Sequence, residues 1–387
     1  MRKAGDVRVY ALPVSAAAGS RKAHAVSGSA DGFSGGGLGD FVAGLLSPIL
    51  AEFKANSLSA VRARALDADP DLIRKEFQRA RESILGHCSS RPAGEIITRC
   101  QPNAKAARRA ARLELTEAGI HGCPDHAKNA ARLRSDMDEV EHARVAKHVY
   151  LKYDKDTPDD LKPPPPGYLE AGPEELAKLG LRQDMLTPQG TSFRAAVYKK
   201  DPLVWGENPK PAFGVVFRGS TLAKEDWVNN FSQNANNESS YYQRAVDIGN
   251  KIGQAGAIDD VHLVGHSLGG GLTSAAQGGS GATASTFNSA GLHPSTVARY
   301  SKLPDRQHAD PGKILAHQVD GEVVTRMQEH GLISYFANPA VGQRHAIAPS
   351  SQALSSEDRH DIDEVIKSIE ARKAADEAVI KNCLGLP

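Results

Sequence analysis

Ser267 is the residue of this chain best placed to act as a nucleophile. It sits in Gly265-His266-Ser267-Leu268-Gly269, after the apolar run Val261-His262-Leu263-Val264 and before the small-residue segment Gly270-Gly271-Leu272-Thr273-Ser274-Ala275-Ala276. A G-x-S-x-G between a strand and a helix is the pattern of a nucleophile elbow. The glycines have a steric reason. A side chain at Gly265 or Gly269 would collide where strand and helix pack around the serine. The turn lifts the Ser267 hydroxyl to the carboxyl end of the strand. It also aims the Leu268 N–H at the place where an oxyanion would form.

A serine hydroxyl needs a base, an acid to orient that base, and N–H donors for the oxyanion. Where the serine stands on an elbow, the acid and then the base follow it in the chain. Asp320 ends the run from Ile314 to Val319, which places it at the carboxyl edge of a sheet beside Ser267. Glu322 is its neighbour, but it starts the next helix, where a carboxylate serves the helix dipole. Three histidines follow Asp320. His330 ends a helix too close to Asp320 to return to the serine. His360, in Glu357-Asp358-Arg359-His360-Asp361 at the start of the last helix, is the favoured base, and His345 in Gln343-Arg344-His345-Ala346 is the alternative. The second oxyanion donor is expected at Ser220, after Val215-Val216-Phe217-Arg218-Gly219, with Asp226 or the loop itself holding its hydroxyl.

The elements that must position these groups read as α/β. Phe193–Tyr198, Ala212–Phe217, Val261–Val264, Ala282–Phe287 and Ile314–Val319 have the texture of strands. Helical spacing occupies Tyr241–Ile252, Glu322–His330 and a long final stretch from Glu357 to Ile380. Strands alternating with helices imply a mostly parallel sheet covered on both faces. Residues 1–40, rich in Gly, Ser and Ala, read as a flexible leader. Residues 41–134 read as a mainly helical accessory or delivery region, and 135–387 as the catalytic domain. A further helix is expected from Ser135 to about Tyr150, followed by an acidic, proline-rich connector ending Pro163-Pro164-Pro165-Pro166.

The 387 residues carry a net charge of +1, unevenly placed: residues 1–134 hold 21 Lys and Arg against 13 Asp and Glu. The two signs are interleaved there, which describes a solvated helical surface rather than a nucleic-acid-binding patch. Asp6 and Arg8 interrupt what would be the apolar core of a signal peptide. Phe41–Leu50, the best apolar run, is broken by Pro48 and is about half a bilayer span. Asp154, Asp156, Asp159 and Asp160 lack the glycine and terminal glutamate of a calcium loop. Cys88, Cys100, Cys123 and Cys383 match no common zinc spacing, and whether they pair as disulfides is left open by the sequence.

Taken together, Phe217-Arg218-Gly219-Ser220, Asp226-Trp227 with Asn229-Asn230, Gly265-His266-Ser267-Leu268-Gly269-Gly270 and Ala284-Ser285-Thr286-Phe287-Asn288 resemble the class 3 lipases. The tail is similar to that of bacterial lipase effectors delivered by contact-dependent secretion. The matching pieces are Val319-Asp320-Gly321-Glu322-Val323-Val324-Thr325, Pro339-Ala340-Val341-Gly342-Gln343-Arg344 and Arg359-His360-Asp361-Ile362-Asp363-Glu364-Val365-Ile366. The resemblance covers roughly residues 135–380. It implies an α/β-hydrolase fold, a triad of Ser267, Asp320 and His360, and an oxyanion hole from Ser220 and Leu268. It implies no metal or organic cofactor. The implied substrate is a membrane phospholipid cleaved at an acyl ester. The implied partners are a membrane surface and a secretion component, chaperone or immunity protein. The implied route is export without a cleavable signal peptide, from the producer's cytoplasm to a target cell. Asn288-Ser289-Ala290-Gly291 departs from the G-x-P that many class 3 lipases carry there. The rival readings are a hydrolase of small esters or thioesters and a membrane-binding module with a hydrolase-like fold.

Overall fold

The computed structural model describes residues 101–221, 229, 237–329 and 338–385. The leader, Phe41–Leu50, Cys88, Cys100, Asp226-Trp227 and His330 lie outside the described residues, which all fall in one compact unit. Seven strands form one sheet in the order β1 to β7: Tyr168–Glu170, Ala195–Lys200, Phe213–Phe217, Val261–His266, Thr283–Phe287, Ile314–Val319 and Gln343–Ile347. The first two pairings are antiparallel; β3 through β7 run parallel. The fold is therefore α/β, with an antiparallel edge on a parallel core.

The β4 strand is buried at every position, as expected of a central strand covered on both faces. On one face, Val215, Leu263 and Ala284 pack with Tyr242, Ile248, Leu272 and Ala275. On the other, Val216, Val264 and Phe287 pack with Val140, Val149, Val365 and Ile369. The first layer is built by α3 (Ser240–Gln254) and α4 (Leu268–Ser280), after α1 (Gln101–Gly122) and α2 (Ala127–Tyr153) in the chain. The second is built by α2 and, beyond α5 (Val323–Glu329) and α6 (Ser356–His360), by α7 (Ile362–Leu384). Eight short helical segments among the described residues are left unlabelled.

Five strands expected from sequence are present, Ile314–Val319 with the bounds expected and the other four with shifted ends. The other two, β1 and β7, were not expected: β7 is largely exposed and carries charge, so it lacks the apolar signature. The expected helix at Ser135 begins at Ala127 and runs unbroken across positions 134 and 135, where the composition changes. The expected final helix is two. The chain leaves helical geometry at Asp361 (φ −59°, ψ 138°), whose side chain accepts the Asp363 N–H and starts α7. The proline connector runs between α2 and β1, fastened by His148 Nε2 to Lys162 O (2.9 Å) and by Lys105 Nζ to Pro166 O (2.6 Å).

α1, α2 and α7 also share a small core of Leu133, Met137 and Ile380. Cys123, at the foot of α2, is disulfide-bonded to Cys383 in the last turn of α7, a sequence separation of 260. Closing so long a loop removes much conformational freedom from the unfolded chain. The Cys123→Ser/Cys383→Ser double variant is expected to lose about 2–5 kcal/mol of stability. Urea unfolding checks this, and an unchanged midpoint would show that the bridge does not constrain the fold.

Candidate active site

Ser267 follows β4 directly and precedes α4. Its backbone is at φ 58°, ψ −126°, a region costly for a residue with a Cβ. The surroundings over-determine it. Its N–H donates to Phe287 O (3.1 Å), and its carbonyl accepts from the N–H groups of Gly270 and Ala290 (2.9 Å each). A Cβ on Gly265 would lie 2.1 Å from Gly269 O, and one on Gly269 would lie 2.3 Å from Phe217 O. The elbow thus packs at backbone contact both on itself and on the end of β3. That second contact brings the segment Phe217-Arg218-Gly219, and Ser220 after it, beside the first turn of α4. Ser267 is half-buried, whereas Leu268 is fully buried.

His360 Nε2 lies 3.0 Å from Ser267 Oγ. The opposite ring nitrogen, Nδ1, lies 2.6 Å from Glu322 Oε2. The carboxylate on His360 is therefore Glu322, and not Asp320 as the sequence led us to expect. The reason lies in the turn between them. Glu322 N–H donates to Val319 O (3.1 Å), with Gly321 at φ 77° inside the turn. This leaves the Asp320 side chain exposed at the rim and swings Glu322 inward, where it has no solvent exposure. Asp320 contributes its backbone instead. Its N–H donates to Ile347 O (2.9 Å), and its carbonyl accepts from Arg359 Nη1 (3.0 Å).

Glu322 does serve the helix start, as expected, accepting from the N–H groups of Val324 (2.8 Å) and Thr325. One carboxylate fills both roles. Burial pushes its pKa up, but the His360 charge and hydrogen bond and the Thr325 donors outweigh this, so it lies below its ordinary value. Glu322 stays ionised and can hold His360 as a cation. His345 is placed elsewhere, in β7, with its ring 5.4 Å from that of His317.

Two residues that sequence reasoning did not select fix the backbone of His360. His266 Nε2 donates to His360 O (2.7 Å), while His266 Nδ1 accepts from the Tyr150 hydroxyl (3.1 Å). Burial, and then the nearby His360 charge, push the His266 pKa down to about 3, so the ring is neutral as this pattern requires. Asn288 Nδ2 donates to Arg359 O (3.0 Å) and His360 O (3.1 Å), and its Oδ1 accepts from Val319 N–H (2.9 Å). Asn288 thus ties the end of β6 to the end of α6. It also sits at φ 42°, which asparagine tolerates better than most side chains. The departure at Asn288 noted in the sequence marks a structural clamp. The only local signal for these roles was the polar side chain at the end of an apolar strand.

Among the described residues, Glu139, His142 and His262 could suit a metal ion, with ligand atoms within 4.8 Å of one another. Ser285 stands in their midst. Its hydroxyl donates to Glu139 Oε1 (3.0 Å) and accepts from His262 Nε2 (2.7 Å), while His317 Nε2 donates to Glu139 Oε2 (3.0 Å). These hydrogen bonds engage Glu139 and His262, while His142 Nε2 is buried without a hydrogen-bond partner. Ser285 is buried within a regular strand, so its hydroxyl lacks the approach that Ser267 has.

Residues 141–361 match the family model of the Tle-like phospholipase domain. Over 221 residues the chain is 27% identical to the extracellular phospholipase A1 of Serratia liquefaciens, a likeness that covers 54% of this chain and 65% of that protein. The span matched by the family model contains Ser267, Glu322 and His360.

The geometry separates the two carboxylates experimentally. Glu322→Gln is expected to reduce kcat on an activated ester by roughly 10⁴-fold, as removing the acid behind a catalytic histidine does. Asp320→Asn is expected to stay within about threefold of the parent, since only its main chain is engaged. Steady-state kinetics of the two variants would assign the acid, and the reverse order would return the role to Asp320.

Proposed function

The chain belongs to the Tle-like phospholipase domain family, and from that membership we propose that it is a carboxylic ester hydrolase acting on membrane phospholipids. We read its fold as that of an α/β-hydrolase. The observation that carries the reading is the unbroken chain from Ser267 Oγ through His360 to buried Glu322.

In the proposed reaction, His360 Nε2 takes the Ser267 proton as Oγ attacks the acyl carbonyl carbon. The Leu268 N–H, at the start of α4, and the Ser220 N–H hold the oxyanion. Glu322 remains ionised and stabilises the imidazolium. Collapse of the tetrahedral intermediate breaks the ester bond, and His360 returns the proton to the departing glycerol oxygen. Water then enters by the same route in reverse, releasing the fatty acid and restoring Ser267. The clamp on the His360 carbonyl keeps Nε2 in line with Oγ throughout.

The name of the Serratia relative makes the A1 ester bond the first to test. The Cys123–Cys383 bridge supports a working location in an oxidising compartment outside the producing cytoplasm. A membrane surface is the expected partner there. Delivery by a secretion system, with a chaperone or immunity protein, remains part of the proposal and rests on the effector-like tail.

Fatty-acid release from mixed phospholipid vesicles tests the function. The parent chain is expected to release fatty acid and lysophospholipid, and Ser267→Ala and His360→Ala to lose at least about 10³-fold of that rate. His345→Ala is expected to behave like the parent. If the parent cleaved short soluble esters and left vesicles intact, the substrate would be a small ester instead.

A further inference from the structure

The helical layer away from the elbow helix contains a cavity of about 370 Å3, bounded by α1, α2, α7 and the short turn Pro202–Trp205. None of the residues around Ser267 lines it. Seven of its thirteen lining residues are Lys or Arg. Four of these, Lys105, Arg108, Arg109 and Arg112, recur at helical spacing and so lie along one face of α1. Arg144 comes from α2, and Lys367 and Lys373 from α7.

The carboxylates nearby are fewer. Glu141 and Glu370 line the cavity; Asp138 and Glu377 stand behind it, paired with Arg109 and Arg112. Glu141 pairs with Lys105 and Arg144, and Glu370 with Arg144 and Lys373. Gathering this many cations in a concave, partly desolvated space raises the local positive potential. Lys373 is 3% exposed, and burial pushes its pKa below the ordinary lysine value. The remaining wall is apolar and includes Trp205, whose ring centroid lies 4.1 Å from the Arg109 guanidinium carbon and 4.3 Å from Lys200 Nζ. This wall holds Arg109 in place, which reduces the entropy lost when an anion binds.

We propose that this cavity is a second binding site, for a multiply charged phosphate-bearing anion. Its volume suits a small ligand. Four of its cations are arginines, whose planar forks match phosphate oxygens in pairs. The anion reaches it either as a free phosphate ester or as the head group of a lipid. Binding there does not require catalysis, so the site stands or falls independently of the hydrolase reading.

The test uses the full-length Ser267→Ala chain. Calorimetric titration with inositol hexakisphosphate probes a free ester. Co-sedimentation with phosphatidylcholine vesicles, with and without a phosphoinositide, probes a lipid head group. At least one phosphate probe is expected to bind, more weakly as salt rises. Adding Arg108→Gln and Lys367→Gln should reduce that affinity by about tenfold or more. Lys302→Gln with Arg182→Gln removes equal charge from exposed sites elsewhere and should leave affinity unchanged. Circular dichroism confirms that each variant is folded. Binding of the hexakisphosphate assigns a free ester, and binding only to phosphoinositide vesicles assigns a lipid. Absence of binding to every probe, or equal losses in the two double variants, overturns the site.

Discussion

A carboxylate without access to water needs donors arranged around it, and Glu322 sets that demand for the whole site. Its donors are the His360 ring and the N–H groups at the start of α5. The first requires α6 to end where His360 can reach both Glu322 and Ser267. The second requires α5 to begin at once after the β6 turn. The break at Asp361 meets the first requirement, and the Gly321 turn meets the second. His266 and Asn288 then lock the His360 carbonyl, so that strand ends β4, β5 and β6 all bear on one imidazole.

Much of this was legible in the sequence where the cause is local. The elbow could be read because strand, turn and helix are contiguous and each glycine has a steric reason. The central strands could be read from their apolar runs, and His360 from its place before the last helix. Glu322 could not be separated from Asp320, because a turn of a few residues decides which carboxylate faces inward. Glu322 also has an ordinary helix-start role that hides the other one. Asn288 and His266 act through contacts with residues some seventy and ninety positions away, and no local pattern carries that information. β7 was missed because an exposed edge strand needs no apolar alternation.

The face of the sheet away from the elbow helix depends on a different economy. There α2 is held by a buried polar chain from Glu139 through Ser285 to His262, and by ion pairs to α7 such as Arg132–Asp376 and Arg372–Asp136. The Cys123–Cys383 bridge closes the same layer. These contacts matter to the site because α7 starts at the residue after Asp361, two positions beyond His360. α2 takes part as well, through Tyr150 and His266. A composition change near residue 134 therefore does not coincide with a break in the packing, since α2 spans it.

We propose Ser267 as the activated nucleophile and His360 as the base that activates it. Labelling with a fluorophosphonate, followed by peptide mass mapping, tests it most directly, because the probe phosphonylates an activated serine and stays on it. One modified residue, Ser267, is expected in the parent chain, with labelling lost in His360→Ala. Labelling of Ser285, or labelling of Ser267 that persists in His360→Ala, would contradict it.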